Sequence, residues 1–111
     1  MKLYYSLRID AKKEIYEYIN KLLKIKSNNP PFWELQFIQH ENDEYISYIN
    51  FFLSVLDGKY DQLSLLGVKR ENISIWILYE YEGQCNLEFS PSDLQKIGAE
   101  GITLCISCWE I

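Results

Sequence analysis

The single histidine and the acidic residues after it are the first candidates for catalysis or metal binding. His40 precedes Glu41, Asp43 and Glu44 in a segment predicted to be a loop. A general base or a zinc site would need further groups that converge on the imidazole. Calcium suits an oxygen-rich loop, but the alternating carboxylates and tight glycine of a calcium-binding loop are missing. Because helix capping explains the same acidic residues, we predict neither a metal nor a cofactor.

The three cysteines form a second group of reactive side chains. Cys105 and Cys108 have the spacing of a zinc or redox motif, but they lie in a predicted strand, where residues three apart face opposite sides. Their sulfur atoms therefore cannot share a metal or form a bridge with each other. An odd number of cysteines without a secretion signal fits free thiols and predicts a cytoplasmic protein. No apolar run approaches the roughly 18 residues that span a bilayer, so no membrane partner is expected.

Aromatic and acidic residues share one face of the predicted sheet. By strand alternation, this face carries Glu34, Trp76, Glu80, Glu82, Glu88 and Trp109. Aromatic rings supply contact area at an interface, and carboxylates supply specificity and association rate, so the combination favours a basic protein partner. Stacking of single-stranded RNA would need Arg and Lys beside the rings, which disfavours nucleic acid. The same face could instead pack under a loop or form a homodimer.

Composition and charge narrow the class of protein. The chain has 111 residues, of which 48% are hydrophobic, 24% charged and 15% aromatic, which excludes a disordered or collagen-like chain. The net charge of -5 and the pI of about 4.8 disfavour nucleic acid and anionic membranes. Residues 1–26 carry seven basic and three acidic side chains, whereas residues 27–111 carry four basic and thirteen acidic ones. An acidic surface of this kind could steer a basic partner into contact.

The elements that must position these residues follow from hydrophobic periodicity. Period-two alternation predicts five strands, over residues 3–9, 32–40, 72–82, 85–89 and 102–109. Helical spacing predicts three helices, over residues 10–26, from the 41–44 turn to residue 56, and from residue 90 to 98, with a short helical or irregular segment at 60–66. The turn at residues 82–84 predicts a hairpin between the third and fourth strands.

The order of elements predicts the fold class. The chain reads β-α-β-α-β-β-α-β, without a repeat or a linker. We therefore predict a single α+β domain over residues 1–111. Its sheet is expected to be mainly antiparallel and five-stranded, with helices packed on one face.

Two stretches of the chain resemble a known family. Residues 4–10 (Tyr-Tyr-Ser-Leu-Arg-Ile-Asp), followed by a helix and by Trp33-Glu34-Leu35, are similar to the opening of the family catalogued as domain of unknown function 4279. Residues 87–94 (Leu-Glu-Phe-Ser-Pro-Ser-Asp-Leu), Gly98 and the last strand resemble the end of that family. The loop before Trp33 is shorter here than is usual in the family, since it is reduced to residues 27–31.

The resemblance implies a role without catalytic residues. Members of the family are small bacterial cytosolic proteins, some of which are immunity proteins beside polymorphic toxins. A small acidic domain with exposed aromatic residues suits that role, with a basic nuclease as the toxin.

We therefore expect an immunity protein rather than an enzyme, which neutralises a toxin by covering its active or substrate-binding surface. The expected contact residues are Glu34, Trp76, Glu80, Glu82 and Glu88, with the loop of Glu41, Asp43 and Glu44 as a second candidate. One alternative is a homo-oligomeric structural domain that pairs through the same face. Another is a small-ligand or hydrolytic role centred on His40.

Overall fold

A four-stranded mixed sheet organises the fold in the computed structural model, which describes residues 2–40, 43–44 and 46–111. The central strand β1 runs antiparallel to both of its neighbours, β2 and β3, and β4 runs parallel to β3 at one edge. The order across the sheet is β2-β1-β3-β4. The strands are β1 (Lys2–Ile9), β2 (Trp33–Gln39), β3 (Ile73–Tyr81) and β4 (Thr103–Glu110).

Helices fill the connections between the strands. They are α1 (Tyr16–Leu23), α2 (Tyr48–Leu56), α3 (Tyr60–Leu65) and α4 (Pro91–Glu100), with short 3-10 turns at Lys13–Ile15 and Arg70–Asn72. The start of α4 follows from its sequence, because the Ser90 hydroxyl accepts from the Asp93 amide at 3.1 Å and Pro91 takes the first helical position. Its end is set by Gly101, whose φ of 69° is one that glycine adopts without strain.

The hydrophobic core lies between the helices and one face of the sheet. Leu7, Ile75 and Leu35 point to this side from three neighbouring strands and are buried. They pack in one cluster with helix residues such as Ile19 and Phe52. The α1 helix is also tied to β2 by a polar contact, since the Trp33 indole donates to the Asn20 side chain at 2.8 Å. The opposite face of the sheet is therefore the side away from the helices.

The α+β class is confirmed, but the predicted five-stranded, mainly antiparallel sheet is wrong. Residues 85–89 form no strand, and the sheet has four strands of which one pair is parallel. The predicted hairpin is therefore absent from this part of the chain. The turn itself exists, because Gly83 adopts a φ of 78° and the Gln84 amide donates to the Glu82 carbonyl at 3.1 Å. After the turn, the chain does not pair back with β3.

The parallel pairing of β3 and β4 explains this correction. Parallel neighbours need a crossover connection, usually with a helix, rather than a two-residue turn. Residues 82–90 and α4 form that connection. The alternation over residues 85–89, which suggested a strand, reflects a segment that packs on the helices instead, since Phe89 contacts the core while Glu88 stays exposed.

Two helix predictions also need correction. The helix expected over residues 10–26 is confined to α1 and its 3-10 turn, because Lys24 leaves the helix with a φ of 57°. The α2 helix begins at Tyr48, with Ser47 before it, so Asp43 and Glu44 do not cap it. Among the residues that the structure describes, no helix has both the length and the apolar character needed to cross a membrane.

Candidate functional site

The face of the sheet opposite the helices is the candidate site, and we call it the open face. Strand pairing places its side chains in rows that cross the sheet. One row aligns Glu34, Arg8 and Ser74, and another, two rows further along, aligns Ile38, Tyr4 and Leu78. The full set is Lys2, Tyr4, Ser6 and Arg8 on β1, Glu34, Gln36 and Ile38 on β2, Ser74, Trp76, Leu78 and Glu80 on β3, and Thr103, Cys105, Ser107 and Trp109 on β4.

One end of the open face, which we call the Arg8 end, is held by a buried ion pair. The Arg8 Nη2 and Nε atoms both lie 2.6 Å from the Glu34 Oε2 atom. The Asn29 side-chain amide donates to the other carboxylate oxygen. Glu34 is only 1% exposed and Arg8 31% exposed. The Glu34 carboxylate is thus fully engaged within the protein.

The same arginine covers the aromatic residues of the Arg8 end. Its guanidinium carbon lies 4.4 Å from the centre of the Trp76 ring and 5.7 Å from that of Phe32. The distances are those of cation–π contacts. The Trp76 indole N–H is also occupied, because it donates to the Ser74 hydroxyl at 2.9 Å. Trp76 is therefore a packing partner of Arg8 more than a free anchor.

A groove of about 670 Å³ runs beside this cluster. Arg8, Phe32, Trp76, Asn72 and Cys105 are among its lining residues. Its arginine is already neutralised by Glu34, so the groove offers no unpaired cation to a ligand. Nor does any group of three or more His, Cys, Asp or Glu residues suited to a metal occur within the described chain.

The opposite end of the open face, the Trp109 end, is apolar and exposed. Trp109 and Ile38 each keep 40% of their surface accessible. The Trp109 ring stacks on Tyr4, with 6.4 Å between the ring centres. Tyr4 is on β1 and Trp109 is on β4, so the two stacked rings span the strand between them, β3. The result is a shallow aromatic and aliphatic surface.

Carboxylates gather around the Trp109 end because four strand termini meet there. β2, β3 and β4 end at this side of the sheet, and β1 begins there. Glu80 lies between Lys2 and Trp109 in the strand register. The other acidic residues near this end, all exposed, are Asp43, Glu44, Glu82 and, on the helix side of β4, Glu110. None of these five carboxylates belongs to either of the two ion pairs that the described residues form.

Four basic residues lie where β1 ends and β3 begins, at the Arg8 end. Lys12 and Lys13 follow β1, and Lys69 and Arg70 precede β3, which begins beside the end of β1. The Asp10 amide donates to the Asn72 carbonyl at 2.8 Å, which joins these two segments. Asp10 and Glu71 lie at the same end, and Arg70 pairs with Glu100, so this end carries charges of both signs.

The predicted contact residues are divided among three places. Glu34 and Trp76 lie at the Arg8 end, whereas Glu80, Glu82, Asp43 and Glu44 lie at the Trp109 end. Glu88 is not on the open face, because it lines a cavity on the helix side with Ser47 and Phe89. Glu41, also predicted, lies outside the described residues. The seven described residues of the predicted set therefore do not lie together in one place.

The histidine loop is organised by a local hydrogen bond. The Asp43 carboxylate accepts from the His40 backbone amide at 2.9 Å, and the Gln39 side chain donates to the Glu44 carbonyl at 3.2 Å. These bonds hold residues 43–44 close to the end of β2. Asp43 stabilises this turn instead of capping α2 as predicted.

Tyr4, Ile38 and Arg8 were not among the residues predicted to act at this face. Ile38 could have been found from the sequence, because strand alternation places it on the same face as Glu34. The ion pair between Arg8 and Glu34 joins residues 26 positions apart, and only the strand register brings them together.

No family model, curated protein or solved structure matches this chain in the three comparisons with known proteins. The resemblance to domain of unknown function 4279 stays a prediction. The functional proposal below therefore depends on the geometry of the site.

Proposed function

We propose that this chain is a binding protein that acts as an immunity protein, using the Trp109 end of its open face to cover the surface of a basic toxin domain. The observation that carries the proposal is the meeting of an exposed aromatic surface with carboxylates that form no ion pair with a described residue, at one end of the sheet. Its mode of action is occlusion, without a catalytic step. Three free thiols agree with a cytoplasmic place of action.

The aromatic surface supplies the area that binding requires. Trp and Tyr are enriched among the residues that dominate interface energies, since their rings bury much apolar surface with few rotatable bonds. Trp109 and Ile38 retain exposed area, and the Tyr4 ring already supports Trp109 from one side. A partner that covers these rings would gain contact area with little loss of side-chain entropy.

The carboxylates around that surface select the charge of the partner. Glu80 lies beside Lys2 in the strand register, and Asp43, Glu44 and Glu82 are exposed at the same end. Charges at the rim of an interface raise the rate of encounter with an oppositely charged partner and repel like-charged proteins. A basic domain, such as one that itself binds nucleic acid, has the matching charge.

The test is a capture experiment with matched variants. The full chain, carrying an affinity tag, is incubated at low salt with an extract of the cells that produce it. A Trp109-end variant (Glu80→Lys with Trp109→Ala) and an Arg8-end control (Glu71→Lys with Thr103→Ala) are treated in the same way, since all four of these residues are half-buried or exposed. Bound proteins are identified by mass spectrometry.

The proposal expects one basic protein that is retained by the wild type and the control and lost with the Trp109-end variant. That protein is expected to be toxic when produced alone and harmless when produced with this chain. Equal capture by both variants would contradict the proposed surface. A salt-insensitive dimer in sedimentation experiments, masking the Trp109 end and capturing no other protein, would instead favour the homo-oligomeric alternative.

A further inference from the structure

Two cysteines from separate parts of the chain meet on the helix side of the sheet. Cys85 lies in the connection between β3 and α4, and Cys108 lies on the edge strand β4. Their Sγ atoms are 3.4 Å apart, and the Cys85 thiol donates to the Cys108 sulfur. Both are free thiols, with Cys108 exposed and Cys85 half-buried. The contact is not part of the open face.

We propose that Cys85 and Cys108 form an oxidation-sensitive pair that closes into an intramolecular disulfide when the protein meets a peroxide. The evidence for this pairing is the contact between the two sulfur atoms, not the spacing of the cysteines in the sequence. The alternative pair, Cys105 and Cys108, shares a strand, but strand alternation puts Cys105 on the open face in the row of Trp76. The sulfur of Cys108 therefore contacts Cys85, which is 23 positions away in the sequence, and not Cys105, which is three positions away.

The chemistry balances with hydrogen peroxide as the oxidant. The exposed Cys108 thiolate attacks one peroxide oxygen, the O–O bond breaks, and the products are a sulfenic acid and hydroxide. The Cys85 sulfur then attacks the Cys108 sulfur, forming the S–S bond and expelling the sulfenic oxygen as water. Overall, two thiols lose two hydrogens and one peroxide becomes two waters.

The surroundings suit this order of events. Partial burial, together with the hydrogen bond to Cys108, raises the pKa of the Cys85 thiol. Cys108 is the more exposed of the two sulfurs and is therefore the one that a peroxide reaches first. The sulfur atoms must approach from contact distance to about 2.05 Å. Cys85 belongs to a segment without helix or strand, which can make that movement while Cys108 stays in the sheet.

The disulfide would tie the β3–α4 connection to the edge strand. Such a link restricts local opening of both segments, because it closes the chain around α4. The inference is independent of the proposed function, since it concerns the other side of the sheet.

The test counts free thiols in the purified, fully reduced chain before and after treatment with hydrogen peroxide. Thiols are labelled under denaturing conditions, and intact mass reports the loss of hydrogens. The wild type is expected to fall from three labelled thiols to one, and peptide mapping is expected to find Cys85 linked to Cys108. The control variant Cys105→Ser is expected to fall from two thiols to none.

The variants Cys85→Ser and Cys108→Ser are expected to form no intramolecular disulfide under the same treatment. The wild type oxidised in urea supplies a second control, because proximity along the chain then favours Cys105 with Cys108. The proposal is overturned if the folded wild type keeps three thiols while free dithiothreitol is oxidised under the same conditions. A folded-state bridge that involves Cys105 would also overturn it.

Discussion

The two ends of the open face contain the same kinds of residue but use them differently. At the Arg8 end, Glu34 and Trp76 are both bound by one arginine, which pairs with the carboxylate and stacks over the ring. At the Trp109 end, Glu80 forms no ion pair with a described residue and the tryptophan keeps 40% of its surface exposed. At the first end the charged and aromatic groups contact one another, whereas the second end keeps an exposed tryptophan and a carboxylate without an ion pair to a described residue.

The difference shows that the neighbour across the strand decides what a surface carboxylate does. Glu34 faces Arg8 on β1, and its buried carboxylate is paired with that partly exposed guanidinium. Glu80 has Lys2 on one side and Trp109 on the other, and its carboxylate forms no ion pair with a described residue. An acidic residue can thus be structural at one end of a sheet and available for recognition at the other.

The largest expected effect, on the free energy of unfolding, comes from removing the ion pair at the Arg8 end. Replacing Arg8 with Ala leaves the buried Glu34 carboxylate without its cation, which we expect to lower the free energy of unfolding by about 3 kcal/mol. Urea denaturation measures this loss. The double variant Arg8→Ala with Glu34→Gln is the control and is expected to recover part of the stability. A single variant as stable as the wild type would show that the Arg8 end is not held by this pair.

The next largest effect concerns the exposed tryptophan. Trp109→Ala is expected to weaken binding of the captured basic partner by about 2 kcal/mol, because the ring supplies an interface anchor. The free energy of unfolding should change little, since Trp109 lies partly exposed on an edge strand. Trp76→Ala is the matched comparison and should show the reverse pattern, with lost stability and retained binding. Isothermal titration and urea denaturation together test the contrast.

A smaller effect is expected for the charge beside Trp109. Glu80→Lys should lower the association rate of the basic partner about tenfold at low salt, because rim charges act mainly on encounter. Added salt should slow the wild type more than the variant. Stopped-flow kinetics over a range of salt concentrations measures both. A rate that does not depend on salt in the wild type would remove the argument for electrostatic selection.

The smallest effect is expected for a charge at the other end. Glu71 is exposed beside the groove of the Arg8 end, and Glu71→Lys makes the same change of charge as Glu80→Lys. We expect the free energy of binding and that of unfolding each to change by less than about 0.5 kcal/mol. If Glu71→Lys slowed association as much as Glu80→Lys does, net charge and not the Trp109 end would select the partner.

The sequence is enough to assign residues to one face of the sheet or the other. It is not enough to predict which residues of a face are in contact. Alternation alone places Glu34, Trp76, Glu80 and Trp109 on one side of the sheet, and the strand register agrees. It could not divide them between two ends, because that depends on which strands are neighbours. The pairing of Arg8 with Glu34 is of this kind, as is the contact between Cys85 and Cys108.

The segment after β3 shows why periodicity alone is not enough to identify a strand. Residues 85–89 alternate like a strand, yet β3 already has β1 and β4 as its two neighbours, so no position beside it is left. The same misassignment put Glu88 on the open face, whereas it lies on the helix side near Phe89. The parallel pairing of β4 with β3 depends on tertiary packing, and no local sequence pattern predicts it.

Hydrogen exchange of the chain, alone and bound to its basic partner, tests most directly whether the Trp109 end is the contact surface. We predict that binding protects the ends of β3 and β4 near Glu80 and Trp109 together with residues 43–44, and leaves the Arg8 end unchanged. Protection centred on Arg8 and Trp76, or on the helix side of the sheet, would contradict the proposed surface.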